Sequence, residues 1–139
     1  MDTDGKRLVV LYEGMTKKTG VSKVVIINDN KILLMQKNGT LKWELPGGHA
    51  TPGESPKKTA VREVKEETCI KLDKSQLHVL ERTNKDRVYT TWFIYTDMVK
   101  QNIKISEEHV NYKWVSKTKL DNYELSNSTN HLAIVSSYN

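Results

Sequence analysis

All three prolines of this 139-residue chain, Pro46, Pro52 and Pro56, fall within eleven residues, together with Gly47, Gly48 and Gly53. Such clustering marks one special loop rather than a boundary between domains, and any fold must hold that loop between regular elements. β-type runs precede it. Arg7–Tyr12 reads as an edge strand, and Lys23–Asn28 and Lys31–Gln36 flank Asp29-Asn30. Both turn residues tolerate positive φ, so the two runs predict a tight hairpin. From Ser55 to Thr68 the pattern becomes helical, with Ser55 as N-cap and Pro56 where a missing N–H costs nothing. Ala60, Val61 and Val64 supply a narrow apolar stripe. Further strands are predicted at Leu77–Thr83, Val88–Asp97 and Tyr112–Val115, and a C-terminal helix at Thr129–Tyr138 burying Leu132, Ile134 and Val135. The sum is an α+β domain, a mixed β-sheet flanked by helices.

The length suits a single domain over residues 1–139. An apolar share of 37%, a charged share of 28% and a mean hydropathy of −0.62 describe a globular chain with a polar surface. No apolar run reaches the roughly 20 residues of a membrane-spanning helix. Met1–Gly5 is polar and acidic, unlike a secretory signal. Cys69 is the single cysteine, which excludes an intramolecular disulfide and a multi-cysteine zinc site. A cytoplasmic location is the expectation. The net charge of +5 favours anionic partners. Its lysines and arginines are scattered, with no run of five resembling a nucleic-acid arm, so they suit either a solubilising surface or a funnel for phosphates.

The chemistry gathers in Leu45–Glu54 and the helix ending Arg62-Glu63-Val64-Lys65-Glu66-Glu67. Positions three and four apart share a helix face, so Glu63, Glu66 and Glu67 point the same way. Clustered carboxylates repel unless a cation sits between them, and an all-oxygen set suits Mg²⁺ or Mn²⁺. The glycine turn lets backbone approach a metal or phosphate closely. Metal-assisted hydrolysis follows as the candidate chemistry, with ions neutralising a pyrophosphate and activating water, and a glutamate accepting its proton. Arg62 is placed to orient a glutamate rather than to bind substrate. A glutamate-rich helix face is also what an ordinary solvated helix shows.

Taken jointly, Gly48, Glu54 and Arg62-Glu63-Val64-Lys65-Glu66-Glu67 resemble the Nudix box, here residues 48–70, the signature of the Nudix hydrolases. The pattern departs at Cys69, where the family usually has glycine to end the helix. For Cys69 the expectation is a small buried apolar side chain and a helix exit through a different turn. The similarity extends to Trp43–Gly48 before the box and to Glu107–Ser116 after it.

The resemblance implies a loop–helix–loop catalytic motif and pyrophosphohydrolase activity on nucleoside diphosphate derivatives with Mg²⁺ or Mn²⁺. It makes Glu63, Glu66 and Glu67 metal ligands, with the Gly47 carbonyl as another. It also makes Glu63 the candidate for activating water, Glu54 a brace of the loop, and Arg62 the holder of a box glutamate. Glu108, six residues before Trp114, takes the position of a late metal-assisting glutamate, with Glu107 as the fallback. Substrate choice lies outside the box. Tyr89 and Tyr95 alternate with Trp92 on one strand, which suggests one face packed inward and the other open to a nucleobase. Arg82, Lys85 and Arg87 bracket a hairpin turn from which they can meet phosphates. His49 reads as a surface loop residue, and Trp43 as core packing. A MutT-like nucleoside triphosphate pyrophosphohydrolase leads. Hydrolysis of dinucleoside polyphosphates or nucleotide sugars, action on an RNA 5′ end, and a catalytically silent nucleotide-binding module stand as alternatives.

Overall fold

Asp29 and Asn30 take φ of 49° and 61°, and they join β1 (Thr19–Asn28) to β2 (Lys31–Lys37) in the hairpin the sequence predicts. The computed structural model describes residues 19–126. The expected edge strand at Arg7–Tyr12 and the helix at Thr129–Tyr138 lie outside the described residues.

The hairpin strands pair only at Ile27–Ile32 and Asn28–Lys31, then take other partners. β2 pairs antiparallel with β3 (Trp43–Glu44) and with β7 (His109–Ser116). β1 pairs antiparallel with β4 (Gly47–His49) and parallel with β6 (Val88–Tyr95). β5 (His78–Lys85) adds antiparallel to β6 through Asp86 and Arg87, whose φ values are 52° and 65°. A parallel pair needs a long crossover, and here that crossover carries α1 (Pro56–Thr68). Among the described residues the result is a mixed sheet of seven strands with α1 packed on it. It is the α+β architecture expected from the sequence.

Hydrophobic cores form on both faces of this sheet. Val24 and Ile26 join Leu33, Met35, Phe93, Tyr95 and the α1 residues Ala60 and Val64. Val25 turns the other way, to Ile32, Leu34, Trp43, Leu45, Trp92 and Val115. A strand buried on both faces needs an unbroken apolar run, which is why Val24-Val25-Ile26 shows no alternation. The same double burial corrects one expectation for β6. Trp92 is 1% exposed and Tyr95 5%, so both faces are closed through the middle of that strand, and Tyr89 near its start is the aromatic left exposed.

Helix α1 begins as expected, with the Ser55 hydroxyl accepting from Lys58 N–H at 3.3 Å and Pro56 in the first turn. Its end corrects the expectation for Cys69. The residue takes the left-handed conformation itself, φ 65° and ψ 10°, and its N–H donates to Lys65 O at 2.9 Å. The thiol is exposed rather than buried, because the flanking Thr68 and Ile70 take the interior positions.

β4 is a strand where the sequence reads only as loop. Gly47, at φ 140°, lies so close to β1 that an added Cβ would fall onto Ser22 O. Glycine there is what lets the loop backbone join the sheet.

Candidate active site

The Arg62 guanidinium organises the loop–helix junction. Nε and Nη2 grip the two oxygens of Glu54 at 2.8 and 2.9 Å, a bidentate pair. Nη1 donates to Glu63 at 2.7 Å and to Glu66 at 3.3 Å, and Nη2 also reaches His49 O at 3.0 Å. Glu54 accepts further from Thr51 N–H and the Thr59 hydroxyl. The Arg62 bonds hold the Glu54 carboxyl down at about 2, against the opposing effect of its partial burial. The pairing with Glu54 raises Arg62 further above its ordinary value. Three carboxylates from loop and helix therefore converge on one cation.

Glu63 and Glu67 turn from this hub towards a cleft of about 660 Å³. An added Cβ at Gly48 would land on the Glu63 carboxylate, so glycine there gives that side chain its place. Burial raises the Glu63 carboxyl, with Arg62 opposing and neighbouring Glu66 adding to the rise. Glu67 is nearly fully buried and accepts from Gly47 N–H at 3.0 Å. Burial pushes its carboxyl up to about 8, with Lys23 and the Gly47 N–H opposing and the charges of Glu44 and Glu63 adding. Glu66 stands further out, its side chain 58% exposed.

Across the cleft lies a second polar group. Lys23 Nζ, on β1, bonds Glu44 Oε1 and Leu45 O, each at 3.1 Å. Glu44 Oε2 sits 2.9 Å from His109 Nε2, at the start of β7. Burial raises the Glu44 carboxyl, but His109 and Lys23 outweigh it and bring it to about 2. Single ligand atoms of Glu67, Glu108 and His109 lie within 4.8 Å of one another.

The structure thus brings Gly47, Glu63, Glu67 and Glu108 to one cleft, with Arg62, Glu54 and Glu66 bonded behind it. At Gly47, the N–H rather than the carbonyl makes the bond to Glu67. His49 is exposed and lines the cleft. Arg82, Arg87 and Tyr89 are exposed on the β5–β6 hairpin, outside the cleft walls, although Val88 beside them is a wall residue. Strand alternation turns Tyr89 to the face opposite Val88. Trp43 is buried in the core. Sequence reasoning missed Glu44, Lys23 and His109. Glu44 stood within the quoted entry segment Trp43–Gly48, but its partner His109 lies 65 residues away, a pairing no local spacing announces.

The sheet, the crossover helix and an arginine-bound carboxylate cluster beside a glycine turn define a class, and comparison with known proteins agrees with it. The profile described as "NUDIX domain" matches residues 17–133. The chain belongs to the Nudix family. It is 36% identical over 93 residues to bis(5′-nucleosyl)-tetraphosphatase (asymmetrical) of Sus scrofa, covering 60% of this chain and 62% of that relative. The match thus spans about three fifths of the relative's length. Among solved structures, an ADP-ribose pyrophosphatase from Streptococcus suis superposes with a TM-score of 0.71 at 25% identity, over 86% of this chain and 90% of its own. A MutT structure, from work on the Aliivibrio salmonicida and Vibrio cholerae proteins, shares the fold with a TM-score of 0.75 at 20% identity, over 88% and 100%. No helix among the described residues is long and apolar enough to cross a membrane.

Proposed function

We propose that this chain is a single-domain, Mg²⁺- or Mn²⁺-dependent pyrophosphohydrolase that cleaves the diphosphate linkage of a nucleoside diphosphate derivative by attack of water at phosphorus. The observation that carries the reading is the Arg62-held carboxylate group opening onto the same cleft as the buried Glu67. The residues fit a divalent cation. Glu67 is a buried carboxyl raised to about 8 by burial, and Nδ1 of His109 is buried without a hydrogen-bond partner among the described residues. A cation relieves both strains by offering them a positive partner. Glu63, Glu66, Glu67, Glu108 and the Gly47 carbonyl would hold it. When bound, the ion neutralises the diphosphate and acidifies water.

The chain's own residues divide the remaining work. Arg62, fixed by Glu54, keeps Glu63 and the more exposed Glu66 in register through direct bonds to both. Glu63 faces the cleft as the proton acceptor for the attacking water. Lys37, on the cleft wall, offers charge to the phosphates. Arg82, Arg87 and Tyr89, on the β5–β6 hairpin next to the wall residue Val88, are proposed to meet the part of the substrate that extends beyond the cleft. A cytoplasmic location accords with nucleotide substrates.

The leading substrate is a nucleoside triphosphate, released as monophosphate and pyrophosphate. A second reading, cleavage of a dinucleoside tetraphosphate, is favoured by the 36% identity to the Sus scrofa enzyme. A panel of nucleoside triphosphates, dinucleoside polyphosphates and nucleotide sugars, assayed with Mg²⁺ or Mn²⁺ and with chelator, separates them by product. Pyrophosphate identifies the first reading and two nucleotides the second. Binding without turnover across the panel identifies a silent module and contradicts the proposal.

A further inference from the structure

Nδ1 of His109 is the single buried side-chain nitrogen or oxygen without a hydrogen-bond partner among the described residues. The His109 side chain is only 1% exposed, so no bulk water compensates that atom. Its other nitrogen is committed: Nε2 lies 2.9 Å from Glu44 Oε2, and Glu44 Oε1 is held by Lys23 Nζ at 3.1 Å. An ionised carboxylate only accepts, so Nε2 carries the proton, and in the neutral ring Nδ1 then presents a lone pair. Histidines that bind metals are held in this way, with the far N–H donated to a carboxylate that sets tautomer and ring orientation. A ring nitrogen of His109 and one oxygen each from Glu67 and Glu108 lie within 4.8 Å of one another. Ligands at roughly 2.0–2.4 Å from one ion are at most about 4.8 Å apart, so the two carboxylates and one nitrogen of this ring satisfy the spacing of a shared cation, and Nδ1 is the ring nitrogen left without a partner.

We propose that Nδ1 of His109 is a nitrogen ligand for the divalent cation shared with Glu67 and Glu108, which gives this site a mixed nitrogen–oxygen donor set. The proposal deepens the hydrolase reading and rests on it only in that Glu67 and Glu108 hold a cation. Imidazole favours first-row transition metals, whereas Mg²⁺ prefers oxygen alone. The site therefore selects Mn²⁺ over Mg²⁺, with Glu44 and Lys23 as positioning residues behind the ligand.

Pulsed electron paramagnetic resonance of the full chain loaded with Mn²⁺ tests this directly. Wild type and His49→Gln show ¹⁴N modulation from one imidazole, and His109→Asn loses it. Labelling histidines with ¹⁵N converts the modulation in wild type, a readout that stands even if His109→Asn does not fold. Titration calorimetry shows Mn²⁺ affinity falling tenfold or more in His109→Asn while Mg²⁺ affinity changes severalfold less. Mn²⁺ bound with oxygen coupling alone, or nitrogen coupling that survives His109→Asn, overturns the inference and leaves the hydrolase reading standing. Failure of wild type to take up Mn²⁺ overturns the inference, and failure to take up either Mn²⁺ or Mg²⁺ overturns both.

Discussion

Glu67 concentrates the energetic tension of the site. Its carboxyl is buried and titrates near 8 instead of 4.5, so between those values the folded chain holds a proton that the unfolded chain has released. Stability of the metal-free protein therefore falls as pH rises from about 4.5 to about 8. Thermal unfolding in chelator across that range should show the decline, and Glu67→Gln should remove its largest component. Adding Mn²⁺ at pH 8 should raise the wild-type midpoint and leave Glu67→Gln far less affected. Glu54 behaves oppositely. Its carboxyl is held at about 2 by Arg62, so the stability it contributes is present above about 4.5 and is lost as pH falls through 2. Which carboxylates would cluster was readable from their spacing on a helix. Which of them would be buried was not, since burial of Glu67 depends on Gly47 and Lys23 arriving from other elements.

Among the elements, the start of α1 at Ser55-Pro56 and its end at Thr68 were legible, whereas the geometry of its exit through Cys69 was not. Cys69 occupies a left-handed position that glycine takes at less cost, and its thiol makes no interior contact to offset the strain. Cys69→Gly should stabilise the protein by about 0.5–1 kcal/mol, read as a rise of a few degrees in Tm, with activity unchanged. An unchanged or lowered Tm would show that the left-handed cap carries no strain. The β1–β2 hairpin was equally legible, since Asp29-Asn30 lies between two apolar runs and both residues accept positive φ. Strand β4 was hidden by its own composition: Gly47-Gly48 reads as turn, and only contact with Ser22 on β1 shows that the glycines serve close backbone approach. On β6, period-two reasoning assumed one buried face. Trp92 and Phe93, adjacent and both 1% exposed, show cores on both sides.

At the scale of the molecule, the cleft collects residues that are far apart in sequence. Lys23 comes from β1, Glu44 from β3, Gly47 from β4, Glu67 from α1 and Glu108 from the loop before β7. The helix supplies a local, periodic signal, and this half of the site is legible in one short segment. The other half depends on β2 pairing with β7, which sets Glu108 and His109 opposite the helix. That pairing is long-range, and no spacing rule encodes it. A net charge of +5 accompanies a cleft whose walls carry Glu44, Glu63, Glu67 and Glu108 against Lys23 and Lys37, so the positive excess of the chain is not drawn from the cleft. On the proposed function, this distribution would draw anionic substrates towards the protein while a cation offsets the carboxylates of the cleft.

If the carboxylate cluster activates water for attack at phosphorus, hydrolysis in H₂¹⁸O reads that step out. Wild type and Glu67→Gln, matched for folded content by circular dichroism, are compared on the best substrate of the panel at saturating metal. The wild type should place ¹⁸O in a phosphorus-containing product, and the variant should turn over about 10²- to 10⁴-fold more slowly. Equal rates in the two proteins, or product without the label, would contradict that step.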